Sequence, residues 1–222
     1  MDPYFIGGER VVSRRDELLA YAEGVKGFMP RDEGLALYEW SNAHGERAHR
    51  GTWLEVGAWC GKSAVYLGAA AEASSSVLYS LDHHHGSEEN QAGWEHFDPT
   101  LVDPVDGRLN TLPTWQRTIA DAQLEATVFA LVGPSTLVAA HFAQPLDILF
   151  IDGGHGHDVA WADYEAWVPK VVVGGLLLIH DVFPDPTDGG RPPYEIYRAA
   201  LDGGDFIERA EQGSLRALTR VR

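Results

Sequence analysis

Residues 51–64 read Gly51-Thr-Trp-Leu-Glu-Val-Gly57-Ala-Trp-Cys-Gly61-Lys-Ser-Ala64, and this stretch decides the fold. A short apolar run ends at Gly57, and a segment compatible with a helix, residues 63–71, follows Gly61. A strand, a glycine turn and a helix in this order present backbone N–H groups and a helix N-terminus to a ligand in open α/β sheets. Gly57 allows a sharp turn, and Gly61 allows a ligand to approach the backbone closely. The stretch therefore predicts a site for a small, partly anionic ligand.

The glycine spacing separates this site from two better-known nucleotide loops. It does not match the dinucleotide fingerprint G-x-G-x-x-G. It comes close to the phosphate-binding P-loop, G-x-x-x-x-G-K-[ST], but the segment 57–63 is one residue short and carries the bulky Trp59 inside the loop. A P-loop nucleotide hydrolase, with Lys62 on phosphates and Asp152 on Mg²⁺, is one alternative that we carry forward. A glycine turn that only connects a strand to a helix is another.

Length, charge and cysteine usage limit the class of protein. The chain has 222 residues, which suits one large domain, and its hydrophobic content of 45% is ordinary for a globular protein. The net charge of −16 argues against nucleic acid or an anionic membrane as a partner, because both need a basic surface. A single cysteine, Cys60, excludes an internal disulfide framework. The N-terminus shows no apolar signal segment, and the longest apolar runs, such as residues 171–179, are too short to span a bilayer. We expect a soluble, cytoplasmic chain.

Periodicity divides the chain into a helical lead-in, residues 1–50, and a ligand-binding α/β domain, residues 51–222. The lead-in holds two helix candidates, residues 16–22 and 30–40. In the second part, short apolar strands alternate with helices, which predicts a mostly parallel sheet, and a hairpin around Gly213 closes the chain. The predicted strands are 77–81, 127–132, 146–151 and 174–179, and the predicted helices are 63–71, 114–125, one capped by Ser135, and 194–201.

Acidic and imidazole side chains stand at the ends of three predicted strands. Asp82 ends the second strand, where a carboxylate can accept both hydroxyls of a ribose. Asp152 and, two glycines later, His155 follow the most apolar strand, and His180-Asp181 follow the next one. The carboxyl ends of parallel strands meet at one edge of the sheet, so Asp152 and Asp181 are expected to converge.

This convergence predicts a metal site. Two carboxylates with room for waters suit Mg²⁺ or another hard divalent ion. His180 is a third candidate ligand and would favour Mn²⁺, because imidazole is unusual for Mg²⁺. Since adjacent strand residues face opposite ways, His180 has the alternative of pointing into the core.

Two irregular segments remain. His83, His84 and His85 stand beside two glutamates, but consecutive side chains point in different directions, which disfavours a structural zinc site. The excursion 91–125 is rich in aromatic residues and proline, and long loops in compact domains tend to be functional, so we place part of an acceptor pocket there.

Two sets of residues resemble a known family. Glu55-x-Gly57-x-x-x-Gly61-x-Ser63 resembles motif I of the class I methyltransferases that use S-adenosylmethionine (SAM). The segment 150–155, Asp163 and Trp167, the glycine pair 174–175 and the pair 180–181 resemble the metal-dependent O-methyltransferases that act on sugars and macrolide-attached sugars in actinobacteria. The resemblance covers residues 50–182, and this sequence has a histidine at 180 where the family pattern often has an acid.

The resemblance implies a Rossmann-like fold, a seven-stranded, mostly parallel sheet with helices on both faces. It implies SAM as cofactor, a divalent metal, most readily Mg²⁺, on Asp152, His180 and Asp181, and His155 as general base with His157 in reserve. The implied cofactor-binding residues are Glu55, Gly57, Gly61, Ser63, Asp82, Pro134, Ser135 and Asp152.

The function that this resemblance implies is metal-assisted O-methylation of a hydroxyl group. The expected acceptor is a sugar or a glycosylated small molecule, such as a methylmannoside in polysaccharide biosynthesis. We therefore expect a small-molecule or oligosaccharide partner, neither nucleic acid nor membrane, and allow for a homodimer. A non-catalytic SAM-binding protein is the remaining alternative.

Overall fold

The computed structural model describes residues 5–6, 9–10, 12–94 and 96–222 and contains two sheets. In chain order the strands are β1 (Phe5–Ile6), β2 (Glu9–Arg10), β3 (Thr52–Val56), β4 (Val77–Asp82), β5 (Val128–Val132), β6 (Leu146–Ile151), β7 (Val171–Ile179), β8 (Phe206–Gln212) and β9 (Leu215–Arg220). The helices are α1 (Arg14–Gly24), α2 (Arg31–Gly45), α3 (Lys62–Ser74), α4 (Leu112–Asp121), α5 (Ser135–His141), α6 (His157–Trp167) and α7 (Arg191–Asp202).

The main sheet has seven strands in the order β5-β4-β3-β6-β7-β9-β8. The first five of these are parallel to one another, whereas β9 runs antiparallel to both β7 and β8. The chain moves from β3 outward to β4 and β5, and then returns to place β6 on the other side of β3. The crevice at the carboxyl ends of β3 and β6 is therefore the topological switch point, where open α/β sheets bind ligands. The predicted fold class is confirmed.

Helices cover both faces of the sheet. On one face, α1 to α4 pack over a cluster that includes Ile148 and Phe150, and on the other face α5 to α7 pack over a cluster that includes Leu149 and Ile151. Alternate residues of β6 are buried on opposite faces because successive strand side chains point opposite ways. This explains why β6 is apolar without alternation.

The lead-in helices pack directly onto the sheet domain. Leu18 of α1 and Leu37 of α2 are buried in the same cluster as Tyr66 of α3. Ser13 caps α1 through its side chain, which accepts a hydrogen bond from the Asp16 N–H. The lead-in therefore packs close enough to the sheet for its side chains to reach the site.

The predicted elements need two corrections. The predicted helix 114–125 is shifted, because α4 begins at Leu112 with Pro113 in its first turn, where the missing proline N–H costs no helical hydrogen bond, and it ends at Asp121. The prediction that Ser135 caps the next helix is wrong. Pro134 occupies the cap position and Ser135 is the first helical residue, with its hydroxyl engaged elsewhere. Within the described ranges, no helix is both long enough and apolar enough to cross a membrane.

Candidate active site

The backbone of the glycine turn lies directly against the end of β6. Gly57 has a φ of 96°, and a Cβ atom on it would lie 2.0 Å from the carbonyl oxygen of Asp152. Only glycine fits such a contact in this conformation. The Gly57 N–H donates to the Leu81 carbonyl and the Asp152 N–H to the Val56 carbonyl, so the ends of β3, β4 and β6 are held together. The glycine turn and the acidic strand end thus form one site.

Glu55 and Ser63 lie beneath this turn in a buried hydrogen-bonded cluster. The Ser63 hydroxyl donates to Glu55 Oε2 at 2.9 Å, and the Ser80 hydroxyl donates to Glu55 Oε1. The Trp115 indole N–H in turn donates to Ser80 Oγ at 2.9 Å. Burial raises the pKa of Glu55 to about 8, because the cost of desolvating its charge outweighs the two hydroxyl hydrogen bonds. In this arrangement Glu55 supports the turn from below.

Asp82 stands at the carboxyl end of β4 with its orientation fixed by backbone groups. Its Oδ2 accepts from the Trp59 N–H at 2.8 Å, and its Oδ1 accepts from the His84 N–H at 2.7 Å. Trp59 and His84 both have positive φ angles, 45° and 61°, and both angles are uncommon for such residues. Each carboxylate oxygen has a second lone pair for a ligand. The side chain is only partly buried, as a ribose contact requires.

The first turn of α3 follows the glycine turn without a capping side chain among the described residues. Gly61 precedes the helix with a φ of 92°. The N–H groups of a helix's first turn have no intrahelical partner, and the helix dipole places partial positive charge there. The N-terminal end of α3 is therefore suited to bind a carboxylate.

Pro134 and Ser135 lie at the carboxyl end of β5, where α5 begins. The Ser135 hydroxyl accepts a hydrogen bond of 2.8 Å from the Trp167 indole N–H. Asp163 is buried beside them, and its Oδ2 would lie 3.0 Å from a Cβ on Gly153. Burial raises the pKa of Asp163, and a hydrogen bond with Ser135 lowers it in part. These contacts join the α5 and α6 sides of the crevice.

The centre of the site is a cluster of Asp152, His155 and Asp181. One ligand atom from each of the three residues lies within 4.8 Å of the other two. His155 Nε2 is 2.8 Å from Asp181 Oδ2, and His155 Nδ1 is 3.2 Å from Glu89 Oε2. Burial lowers the pKa of His155, but Asp181, Glu89 and Asp152 outweigh burial and raise it to about 9. Burial raises the pKa of Asp181, but the imidazoles of His155 and His180 outweigh burial and hold this pKa well below its usual range.

His180 is placed differently from the predicted ligand role. Its Nδ1 is 3.0 Å from Asp152 Oδ1 and 3.3 Å from Asp181 Oδ2, and its Nε2 is 2.5 Å from Glu33 Oε2. Burial lowers the pKa of His180, whereas Asp152 and the other two acids raise it well above its usual value. A metal would require one ring nitrogen to leave a carboxylate and lose its proton. The carboxylates of Asp152 and Asp181 are the groups that the geometry offers to a metal, with the His155 imidazole within reach of both.

The reserve base, His157, lies outside this cluster at the start of α6. Its ring is largely exposed and faces Asp158, with Nδ1 3.2 Å from Oδ1, and more distantly Glu195. Of the two candidate bases, His155 is therefore the one whose ring contacts a strand-end acid. The predicted pair therefore separates into one residue inside the site and one at its rim.

The donor set at the centre fits a hard divalent ion. Two carboxylates suit Mg²⁺ or Mn²⁺, with waters completing the shell, and the imidazole beside them is more compatible with Mn²⁺. A cavity of about 10 Å³, bordered by Asp152, His155 and His180, lies beside the cluster. This volume suits a single water-sized occupant. A larger cavity of about 440 Å³ lies in the excursion, with His85, Gln91, Phe97 and Arg108 among its lining residues.

Lys62 does not take the position that a P-loop nucleotide hydrolase needs. Its Nζ lies 3.4 Å from the Glu23 carbonyl, and its side chain packs against Gly27 of the lead-in. The P-loop alternative relies on this lysine reaching phosphates in the loop. The geometry therefore disfavours that alternative.

Three acidic or hydroxyl residues of the site were missed from the sequence. Glu33 lies in the first turn of α2, where an acid is ordinarily a solvated partner of the helix dipole. Glu89 lies between β4 and the excursion, and Ser80 lies inside β4. Each meets its partner across a long sequence separation, 147 residues between Glu33 and His180, and no spacing rule encodes such a contact. What distinguishes Glu33 from other acids in a first helical turn is its burial, which is a property of the folded chain.

Comparison with known proteins agrees with the geometry. A family model described as a methyltransferase domain matches residues 54–182, more than half of the chain. The O-methyltransferase NovP has a similar structure, with a TM-score of 0.60 at 19% identity, covering 83% of this chain and 79% of NovP. An O-methyltransferase from Bacillus cereus in complex with SAH also has a similar structure, with a TM-score of 0.61 at 16% identity. The match covers 93% of this chain and 90% of the Bacillus cereus chain.

A third structure resembles the chain over part of its own length. MycE, a methyltransferase of the mycinamycin biosynthetic pathway in complex with Mg and SAH, gives a TM-score of 0.57 at 17% identity. The match covers 95% of this chain and 55% of MycE. At these identities the three structures show a shared fold.

Proposed function

Because the chain belongs to the family of methyltransferase domains, we propose that it transfers a methyl group from SAM to a hydroxyl oxygen of a sugar or glycosylated small molecule. The observation that carries this proposal is the cluster of Asp152, His155 and Asp181 at the switch point, in contact with the glycine turn. It brings an imidazole and two carboxylates, the proposed base and the proposed metal ligands, to the switch point at which open α/β sheets bind ligands.

The residues of the crevice fit SAM, which supplies a methyl group on a positively charged sulfur. The first turn of α3 would bind its carboxylate, with Gly57 and Gly61 keeping the turn open. Asp82 would accept the ribose hydroxyls, and the start of α5 at Pro134 and Ser135 would border the adenine. Glu55 and Ser63 would act from beneath the turn, since both are buried and bonded to each other.

Asp152 and Asp181 would hold a divalent ion, which lowers the pKa of a bound hydroxyl and so makes it a better nucleophile. Support comes from the donor set and from MycE, whose structure is a complex with Mg. His180 would orient Asp152 from behind through its Nδ1–H. This assignment replaces the ligand role that the sequence suggested for His180.

His155 is the proposed general base. Its Nε2 faces the cluster while Glu89 accepts from its Nδ1, so Nε2 is the nitrogen available to the acceptor hydroxyl. The same Nε2 now pairs with Asp181, which raises its pKa to about 9. Nε2 carries a proton in this ion pair, so His155 must release that proton to solvent and separate from Asp181 before Nε2 can accept the proton of the acceptor hydroxyl.

The acceptor would lie between the cluster and the excursion. The cavity of about 440 Å³ at the excursion, which none of the three cluster residues lines, has the volume of ordinary small-molecule pockets. Its rim of polar side chains and Phe97 suits a sugar, which combines hydroxyl groups with an apolar ring face. A methylmannoside is the specific acceptor to test first within this class.

The experiment is a methyl-transfer screen with matched histidine variants. We would incubate the protein with SAM, Mg²⁺ or Mn²⁺ and a panel of glycosides, including methylmannosides, and measure SAH and methylated product by mass spectrometry. His155→Asn is expected to reduce turnover by about 10²-fold or more, the contribution of a general base. His157→Asn, on the exposed neighbour, should leave turnover unchanged.

Two results would overturn parts of the proposal. Equal turnover by wild type and His155→Asn would remove the base from the mechanism. Tight SAH binding without turnover of any hydroxyl acceptor would favour the non-catalytic SAM-binding alternative.

A further inference from the structure

Glu33 is a buried acid that lies outside the cluster and contacts it through one side chain. It is 5% exposed, as is His180. Glu33 Oε2 accepts from His180 Nε2 at 2.5 Å, and Glu33 Oε1 accepts from the Ser214 N–H at 2.6 Å. The Ser214 hydroxyl adds a contact of 3.2 Å to Oε1. Each carboxylate oxygen thus has its own donor.

These contacts join three distant parts of the chain at one imidazole. Glu33 belongs to α2, Ser214 belongs to the turn between β8 and β9, and His180 follows β7. The turn is shaped to admit the acid, because Gly213 has a φ of 55° and a Cβ on it would lie 2.0 Å from Glu33 Oε1. A residue with a side chain at 213 would displace the carboxylate. The turn between β8 and β9 therefore leaves the space that the Glu33 carboxylate occupies.

The opposite side of the His180 ring faces the two strand-end acids. Its Nδ1 lies 3.0 Å from Asp152 Oδ1 and 3.3 Å from Asp181 Oδ2. With Nε2 fixed by Glu33, the ring has one orientation in which Nδ1 bridges the two carboxylates. The Phe150 ring lies beside it in a T-shaped arrangement, with the two ring centroids 6.4 Å apart. The orientation of Asp152 thus depends on a helix of the lead-in.

We infer that Glu33 is a positioning residue, which acts through His180 to set the arrangement of Asp152 and Asp181 for a divalent cation. The cation rests on the proposed function, whereas the ring orientation does not. Groups that orient metal-binding side chains from outside the ligand shell are commonly worth about 10-fold to 100-fold in metal affinity. The lead-in would then contribute to the chemistry of the site as well as to its packing.

The decisive variant is Glu33→Gln, which is nearly isosteric. An amide has one acceptor oxygen, so its NH₂ group must face either the Ser214 N–H or the His180 Nε2. We expect the ring to turn away from Asp152 and the affinity for Mn²⁺, measured by calorimetry or electron paramagnetic resonance, to fall by about 10-fold or more. SAH affinity should stay unchanged. Glu39→Gln, the same change at an exposed position of α2, is the control and should bind Mn²⁺ as wild type does.

Gly213→Ala is an independent perturbation, because it displaces the Glu33 carboxylate without removing it. It should weaken Mn²⁺ binding as well, and it decides the question if Glu33→Gln does not fold. Mn²⁺ binding by folded Glu33→Gln as tight as that of wild type, or tighter, would overturn the inference.

The crystal structure of Glu33→Gln separates this inference from the proposed function. If wild type binds no Mn²⁺, the metal assistance in the proposed function is wrong. The role of Glu33 is then tested by the orientation of the His180 ring in this crystal structure. A ring still bridging Asp152 and Asp181 would overturn the inference. A ring turned away from Asp152 would support it.

Discussion

Gly57→Ala is the substitution whose effect the structure specifies most fully. The new Cβ would lie 2.0 Å from the Asp152 carbonyl oxygen and 2.5 Å from its carbon, and both atoms belong to the backbone. The strand ends must separate, which endangers the hydrogen bonds from Gly57 N–H to Leu81 and from Asp152 N–H to Val56. Each bond contributes about 1 kcal/mol, and a left-handed φ costs a residue with a side chain about 1–2 kcal/mol. The expected loss in unfolding free energy is about 3–4 kcal/mol.

Gly174→Ala isolates the steric part of this loss. Gly174 has a φ of 86°, close to the 96° of Gly57, but no heavy atom of the described residues would lie within 4 Å of its Cβ. It should therefore cost only the conformational term, about 1–2 kcal/mol. Urea unfolding of both variants measures the difference, and calorimetry should show SAH binding lost in Gly57→Ala and kept in Gly174→Ala. Equal unfolding free energies for the two variants would refute the contact between the turn and β6.

Three further predictions concern single side chains. Burial raises the pKa of Glu55 to about 8. The stability that protonated Glu55 contributes at pH values below its unfolded-state pKa is therefore lost as the pH rises through 8. Urea unfolding measured across this pH range should show a smaller loss for Glu55→Gln than for wild type. The raised pKa of His155, about 9, has the same sign, so wild type should lose more stability than His155→Asn between pH 7 and about 9.5. Burial raises the pKa of the Cys60 thiol to about 12, so this thiol should react with a disulfide reagent only when the protein is unfolded. Fast labelling of the native protein would contradict the buried position of Cys60.

The elements that the sequence predicted well are those whose signal is local. β6 is apolar except for Asp147 and is followed by the acid Asp152, and both of its faces are buried. The glycine turn at Gly57 could be recognised because the conformation and the close approach that it needs both exclude other residues. The convergence of Asp152 and Asp181 followed from the rule that parallel strands end at one edge.

The parts that the sequence missed depend on contacts between distant segments. For His180 the sequence leaves two alternatives, a metal ligand beside Asp181 and a side chain that points into the core, and in the structure Glu33 of the lead-in holds its buried ring. Ser135 was assigned as a cap, whereas its hydroxyl meets Trp167 of α6. In both cases the residue type was compatible with several partners, and only the packing of another helix selected one.

Binding of SAH to the wild-type protein, with and without Mg²⁺, tests the central claim most directly. We predict micromolar-range binding by calorimetry, with a Mg²⁺ effect that Asp152→Ala removes. No binding of SAH, together with tight binding of ATP, would contradict the methyltransferase function and favour a nucleotide hydrolase.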